Sequence, residues 1–136
     1  MVTVYDVTPN KLVAKVAEKL KAMDIPQPSY IGTVKSGAHA ERMPQQKDFW
    51  YLRLASMLRN AYVHGMVSVG DLRLHYGARK IRGVKPEHKR KAGGSIIRKG
   101  LQALETAGLM TKKKKGREIT AAGKKLLDSA AKEVSS

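Results

Sequence analysis

The segment "FWYLRLASMLRNAYVHG" (49–65) constrains the fold more than any other stretch of the chain. Leu52, Leu54, Ala55, Met57, Leu58, Ala61, Tyr62 and Val63 fill most of the circumference of a helix with about 3.6 residues per turn. A helix of that kind needs neighbours on several sides, so the segment predicts a central, buried helix. Asp48 stands where it can cap the start, and Gly65 stands where a helix end favours glycine. The remaining polar strip is narrow. At about 100° per residue, Arg53, Ser56, Asn60 and His64 share one side, and Arg59 points well away from them. Phe49, Trp50 and Tyr51 lie together at the helix start, where core packing is their natural use.

The elements available to surround this helix follow from spacing and punctuation. Thr8 and Pro9 read as the cap and first residue of a helix that runs to about Met23, with Leu12, Val16 and Leu20 flanked by Val13, Ala17 and Met23 as its apolar stripe. From about 24 to 46, Pro26, Pro28, Pro44, Gly32 and Gly37 interrupt any period and predict a long irregular connection with a packing role only. Val67 to Val69 fits a short strand, and "GDLRLHYG" (70–77) fits a brief helix offering Leu72, Leu74 and Tyr76 to the core. The glycines and the proline of "GARKIRGVKPEHKRKAGG" (77–94) argue against a regular element there. Helix resumes near Ser95, turning Ile97, Leu101 and Leu104 inward and Arg98, Lys99 and Gln102 outward. In "LETAGLMTKKKKGREITAAGKKLL" (104–127) that helix stops at Gly108, a hairpin spans about 109–120, and Thr120 caps a last helix burying Leu126, Leu127 and Ala130.

Helix, short strand, short helix, helix, hairpin, helix is the order of a winged helix-turn-helix. The expected fold is therefore mainly α: one winged-helix-like domain with one β-hairpin wing, an extra N-terminal helix and a loop. A chain of 136 residues that is 42% hydrophobic supports one core of this size and not two.

Charge then narrows the function. Lys and Arg number 27 against 11 Asp and Glu, a net +16, and residues 77–117 alone hold 14 basic and 2 acidic groups, which is +12 of that excess. Clustering on this scale is the footprint of a polyanion partner, since a merely solubilising surface would spread its lysines. The basic candidates are Arg79, Lys80, Arg82, Lys85, Lys89, Arg90 and Lys91 in the insert, Arg98 and Lys99 on the helix, and Lys112, Lys113, Lys114, Lys115 and Arg117 in the wing. Arg53 and Arg59 are either functional or surface side chains laid along the central helix. Four adjacent lysines at a hairpin tip repel one another unless phosphates are near, although lysines also guard exposed strand edges.

Two nucleic-acid readings compete. A DNA-reading helix-turn-helix joins its two helices by a turn of about 3 to 4 residues. Here residues 77–94 intervene, and the presumed recognition helix begins with Ile96 and Ile97 where base-reading side chains would stand. Irregular folded RNA accepts long basic loops and is recognised largely through shape, phosphates and 2′-hydroxyls. With aromatics at 5%, stacking of bases on an exposed aromatic sheet is not indicated. RNA is the better fit, and a winged-helix DNA-binding transcription regulator is the alternative.

Catalysis has little to stand on. His39, His64, His75 and His88 lack paired metal-ligand spacing, cysteine is absent, and no Gly-rich phosphate loop ending in Lys-Ser/Thr occurs. We expect no enzyme, no cofactor and no metal. No apolar run approaches the roughly 20 residues that span a bilayer, and "MVTVYDVTPNK" lacks the order of a signal peptide, so a soluble, intracellular protein is expected.

"FWYLRLASMLRNAYVHG" followed by "VGDLRLHYGARKIRGVKPEHKRKAGGSIIRKGLQALE" resembles the e-type small-subunit ribosomal protein nineteen family of archaea and eukaryotes. The likeness runs from about Val4 to Leu127 and rests on an Arg-x-x-Ala-Ser-like central helix, a Pro-x-His step and Ser-Ile-Ile-Arg-Lys-Gly-Leu-Gln-Ala-Leu-Glu. It implies a ribosome-bound, cytoplasmic protein that binds small-subunit rRNA of the 3′ domain, lies beside other ribosomal proteins of the subunit head, and supports assembly and late rRNA maturation. It also implies no membrane partner and a monomer outside the ribosome. By position, Arg53 and Arg59 match the family's central-helix arginines, Arg98 its basic residue after the Ser-x-x step, and Lys80 and Arg82 its basic stretch after Tyr-Gly. The order Phe49-Trp50 and the Ala78 after Gly77 depart from the family's usual pattern, and the short end "AAKEVSS" without a basic tail suggests an archaeal member.

Overall fold

The computed structural model describes residues 3–23, 25–29, 36–37 and 48–135, with backbone alone at 79–82, 85 and 87. After a 3-10 turn at Val4–Asp6, the elements are α1 (Pro9–Ala22), α2 (Phe49–His64), β1 (Met66–Val67), α3 (Val69–Tyr76), β2 (Ala78–Arg82), β3 (Lys85–Arg90), α4 (Gly94–Thr106), β4 (Met110–Lys113), β5 (Gly116–Ile119) and α5 (Ala121–Ser135). Mostly helical, with a small antiparallel sheet in the order β1-β5-β4, this is a winged-helix-like fold.

α2 sits in the middle, as its all-round apolar surface demands. It touches α1, α4, α5, β1 and β5, and Trp50, Leu54, Met57 and Leu58 are fully buried. Its end is set by Gly65, whose φ of 86° lies in the left-handed region that glycine enters without a Cβ penalty. α1 lays Leu12, Val16, Ala17 and Leu20 against it. α5 contributes Leu127, Ala130 and Ala131, and Leu126 is only half-buried. Lys19 of α1 reaches Glu133 of α5 at 2.8 Å, a surface pair of small value. α4 comes close to α2 at Gly100, where a Cβ would meet the Met57 Cε and, at 3.1 Å, the Leu54 Cδ2. The three aromatics at the start of α2 do pack inward: Phe49 and Trp50 are buried, and the Tyr51 hydroxyl donates to the Ile25 carbonyl at 2.9 Å.

Several local expectations need correction. Thr8 and Asp48 flank their helices without a side-chain capping bond, and Asp48 instead pairs with Lys21 at 3.1 Å. The strand expected at Val67 to Val69 is Met66–Val67, because Ser68 starts a helix. Its hydroxyl accepts from the Asp71 amide at 3.2 Å while the Asp71 carboxylate accepts from the Ser68 amide at 3.3 Å. Leu74 is 48% exposed, since the short helix α3 turns Leu72 inward and has no second apolar face to bury. Most important, the insert is not irregular. It contains the antiparallel hairpin β2–β3, so the domain carries two hairpins where one was expected. Alternating apolar residues are the usual strand signal, and this arm has almost none because it packs on no core. Of the connection expected at 24–46, residues 25–29 and 36–37 are described: Ile25 is buried in the core, Gly37 makes an isolated bridge to Ala92, and the Gly93 amide donates to the Ser36 carbonyl at 2.8 Å; the rest of it, with His39, lies outside the described residues.

Candidate nucleic-acid interface

α4 carries a basic hairpin at each end. β2–β3 closes at Arg90, four residues before α4 begins, and β4 opens at Met110, four residues after it stops. A helix of 13 residues is about 20 Å long, so the two arms are separated by roughly that distance along the chain's path. On α4 itself Ile96, Ile97, Leu101 and Leu104 are buried while Arg98 and Lys99 are exposed. The start of the helix is therefore apolar and occupied by the core, and its charge lies on the outer side.

The root of the first arm is built from main chain. The Ala92 amide donates to the Arg73 carbonyl at 2.9 Å, and Arg73 Nε donates to the Ala92 carbonyl at 2.9 Å. Gly77 lies against the same place, where a Cβ would strike the Arg90 carbonyl oxygen and come within 3.1 Å of the Arg73 carbonyl oxygen. Arg73 thus fastens the arm to α3, a positioning role absent from the sequence reading. Only the crowding of glycines at 77, 93 and 94 could have signalled a tight junction there.

Register makes the arm an electrostatic liability. Arg79 lies opposite Lys89, Lys80 opposite His88 and Arg82 opposite Lys85. Like charges directly opposite destabilise an antiparallel pair, by about as much as opposite charges stabilise it, roughly 0.2–1 kcal/mol. Lys89, Arg90 and Lys91 are exposed. In the wing one such register pair occurs, Lys112 opposite Arg117, and Lys112, Lys113, Lys114 and Lys115 are all exposed. Among the described residues, none of these exposed cations, nor Arg98 or Lys99, has an ion pair. Arg117 differs. Its Nε lies 3.2 Å from Glu105 Oε2 and its side chain is 13% exposed, so it braces the wing against α4.

Arg53 and Arg59 belong to α2 and to neither hairpin. The Arg53 guanidinium sits 4.0 Å from the Tyr76 ring centroid and 5.0 Å from that of Phe49. Burial lowers its pKa from the ordinary value, against the opposing influence of Tyr76. The Tyr76 hydroxyl donates to Ser56 Oγ at 2.7 Å and accepts from Asn60 Nδ2 at 3.2 Å. Ser56 and Asn60 of the α2 polar strip thus meet Tyr76 of α3 in a hydrogen-bonded seam, while His64 is exposed. Arg59 Nε is buried and has no hydrogen-bond partner among the described residues. The His75 imidazole is held below its ordinary pKa, first by burial and then by His64, Arg53 and Arg59, so the surroundings of this seam are also cationic.

Replacing Tyr76 by phenylalanine keeps the ring under Arg53 but strands the amide of Asn60, which is only 5% exposed. We expect a loss of about 1–3 kcal/mol in urea unfolding, the usual cost of an unsatisfied buried group. Unfolding at the wild-type midpoint would show that the seam is not what holds α3 on α2.

Among the described residues no group of three or more His, Asp or Glu could hold a metal ion, and no helix is long and apolar enough to cross a membrane.

Comparison with known proteins bears on this arrangement as a whole. The sequence model of the family described as "Ribosomal protein S19e" matches residues 3–136. A protein of Aeropyrum pernix named "Small ribosomal subunit protein eS19" is 44% identical over 138 aligned positions, covering 98% of this chain and 90% of that protein. Its namesake in Haloarcula marismortui is 42% identical, with 96% and 90% covered, and that of Emericella nidulans is 40% identical, with the same coverage.

Proposed function

The chain belongs to the ribosomal protein S19e family, and from that premise we propose that it is a structural constituent of the small ribosomal subunit with no chemistry of its own. It binds rRNA of the 3′ domain in the subunit head, where it lies beside other ribosomal proteins and supports assembly and late rRNA maturation. The observation that carries this reading is the pairing of cation against cation in the first hairpin, together with the exposed, unpaired lysine run of the wing, on either side of the exposed Arg98 and Lys99. A free surface gains nothing from that register, whereas phosphates on either side of α4 turn each repulsion into counterion release.

In this reading Arg79, Lys80, Arg82, Lys85, Lys89, Arg90 and Lys91 clamp folded RNA, Arg98 and Lys99 hold phosphate from the helix, and Lys112, Lys113, Lys114 and Lys115 engage a neighbouring strand. Arg117 acts through the wing's position, given its pairing with Glu105. Arg53 and Arg59 approach RNA from the cationic seam between α2 and α3. The DNA-reading alternative meets a geometric obstacle: β2–β3 stands between α3 and α4, where a short turn would be needed, and Ile96 and Ile97 are buried.

Exchanging the four wing lysines for serine tests the reading. On a single-stranded contact each lost phosphate partner flattens the plot of log affinity against log salt by about 0.7, so the slope falls by about 3. Binding of 3′-domain rRNA across a salt series measures it, and an unchanged slope would return the wing to edge protection.

A further inference from the structure

Val84 stands at the tip of the first arm and is the most exposed large apolar side chain among the described residues. It occupies the second position of the two-residue turn at 83–84, after Gly83 with φ 69°. Turns of this length usually put Asn, Asp, Ser or Gly where Val84 is. A β-branched apolar group there does nothing for the hairpin. In the sequence Arg82 and Lys85 bracket the turn, so this one apolar residue stands between basic ones along the chain.

The mounting matters as much as the tip. β2 spans 5 residues, about 16 Å of extended chain, and the two strands make extensive contact only with each other. The root is clasped by the reciprocal Arg73 and Ala92 bonds and pressed against Gly77. A two-stranded stalk anchored at its root therefore carries an apolar point well beyond the core.

Resting on the rRNA-binding reading above, we propose that Val84 is an apolar wedge that inserts against unpaired or unstacked bases of the bound RNA, while the flanking basic residues hold the adjacent phosphates. Apolar side chains on basic elements are known to enter base steps in this way, and the contact adds an affinity term that salt does not screen. The occupant is RNA and not an apolar cleft of a neighbouring protein because the arm carries seven cations between 79 and 91 against the single Glu87.

Val84→Asn and Val84→Ile in the full chain, titrated against a 3′-domain rRNA fragment and an unrelated folded RNA across a salt series, separate the possibilities. The turn position tolerates asparagine, so both variants keep the fold. With the wedge, Val84→Asn binds the 3′-domain fragment about 10-fold more weakly at every salt concentration with an unchanged slope, the loss of one buried valine, and Val84→Ile binds as the wild type does. Chemical probing of the RNA then shows a small set of bases altered by wild type and Val84→Ile but not by Val84→Asn. Superimposed wild-type and Val84→Asn curves overturn the wedge while leaving the rRNA reading intact. A wild-type chain with no preference for the 3′-domain fragment overturns both.

Discussion

Arg98→Glu combined with Lys99→Glu lowers affinity for 3′-domain rRNA by about 100-fold and leaves the fold unchanged. Each side chain gives up a charge-assisted phosphate contact of about 1.5 kcal/mol, and two such losses amount to about two orders of magnitude. Loss of the two phosphate contacts flattens the salt slope by about 2, and glutamate also repels the phosphates that remain. The fold is spared because both residues are exposed on α4, away from Ile97, Leu101 and Leu104, and glutamate is a good helix former. Incorporation into small subunits is lost with the affinity. A variant that unfolds as the wild type does, binds the RNA normally and enters subunits would remove α4 from the interface.

The second large effect is expected at Gly77. A Cβ there would strike the Arg90 carbonyl oxygen, with Lys91 Cα at 3.0 Å and the Arg73 carbonyl oxygen at 3.1 Å. All three are backbone atoms, so no rotamer change relieves the collision and the root of the arm must separate from α3. The two Arg73 to Ala92 bonds then fail together. Gly77→Ala should cost about 3–5 kcal/mol in urea unfolding, from overpacking of about 1–3 kcal/mol and the loss of two bonds worth about 1 kcal/mol each. RNA affinity should fall too, because the arm is no longer held in place. Gly100→Ala is the control. Its Cβ meets chiefly the terminal methyl of Met57, which can swing aside, so a change of under about 1.5 kcal/mol is expected. Equal stability of Gly77→Ala and wild type would mean that the arm's root is not packed as described.

What could be read from the sequence depended on whether a core enforced it. α1, α2, α4 and α5 each bury a stripe or more, and the periodicity of Leu12, Val16 and Leu20, or of Ile97, Leu101 and Leu104, declares that burial directly. The wing was legible because Gly108 and Thr120 bracket it and Met110 and Ile119 face inward. The first arm was not. Its strands carry "ARKIR" and "KPEHKR", with no apolar alternation, because the structure asks nothing of them but backbone pairing. Similarly, Arg117 reads as one more wing cation in the sequence, and only the fold brings Glu105 within 3.2 Å of it. Arg53 could be placed on the polar strip by angle, but its stacking on Tyr76 depends on how α3 crosses α2. Long-range pairs of that kind leave no local signal.

Competition binding across a salt series tests the central claim most directly, pitting folded rRNA from the 3′ domain of the small subunit against random-sequence duplex DNA and an unrelated folded RNA. If the two hairpins and α4 form an rRNA interface, the 3′-domain RNA wins and its advantage persists at physiological salt, where non-specific phosphate contacts have weakened. If duplex DNA competes equally or better, the arm between α3 and α4 does not exclude a DNA groove, and the chain's basic surface would not be an rRNA site.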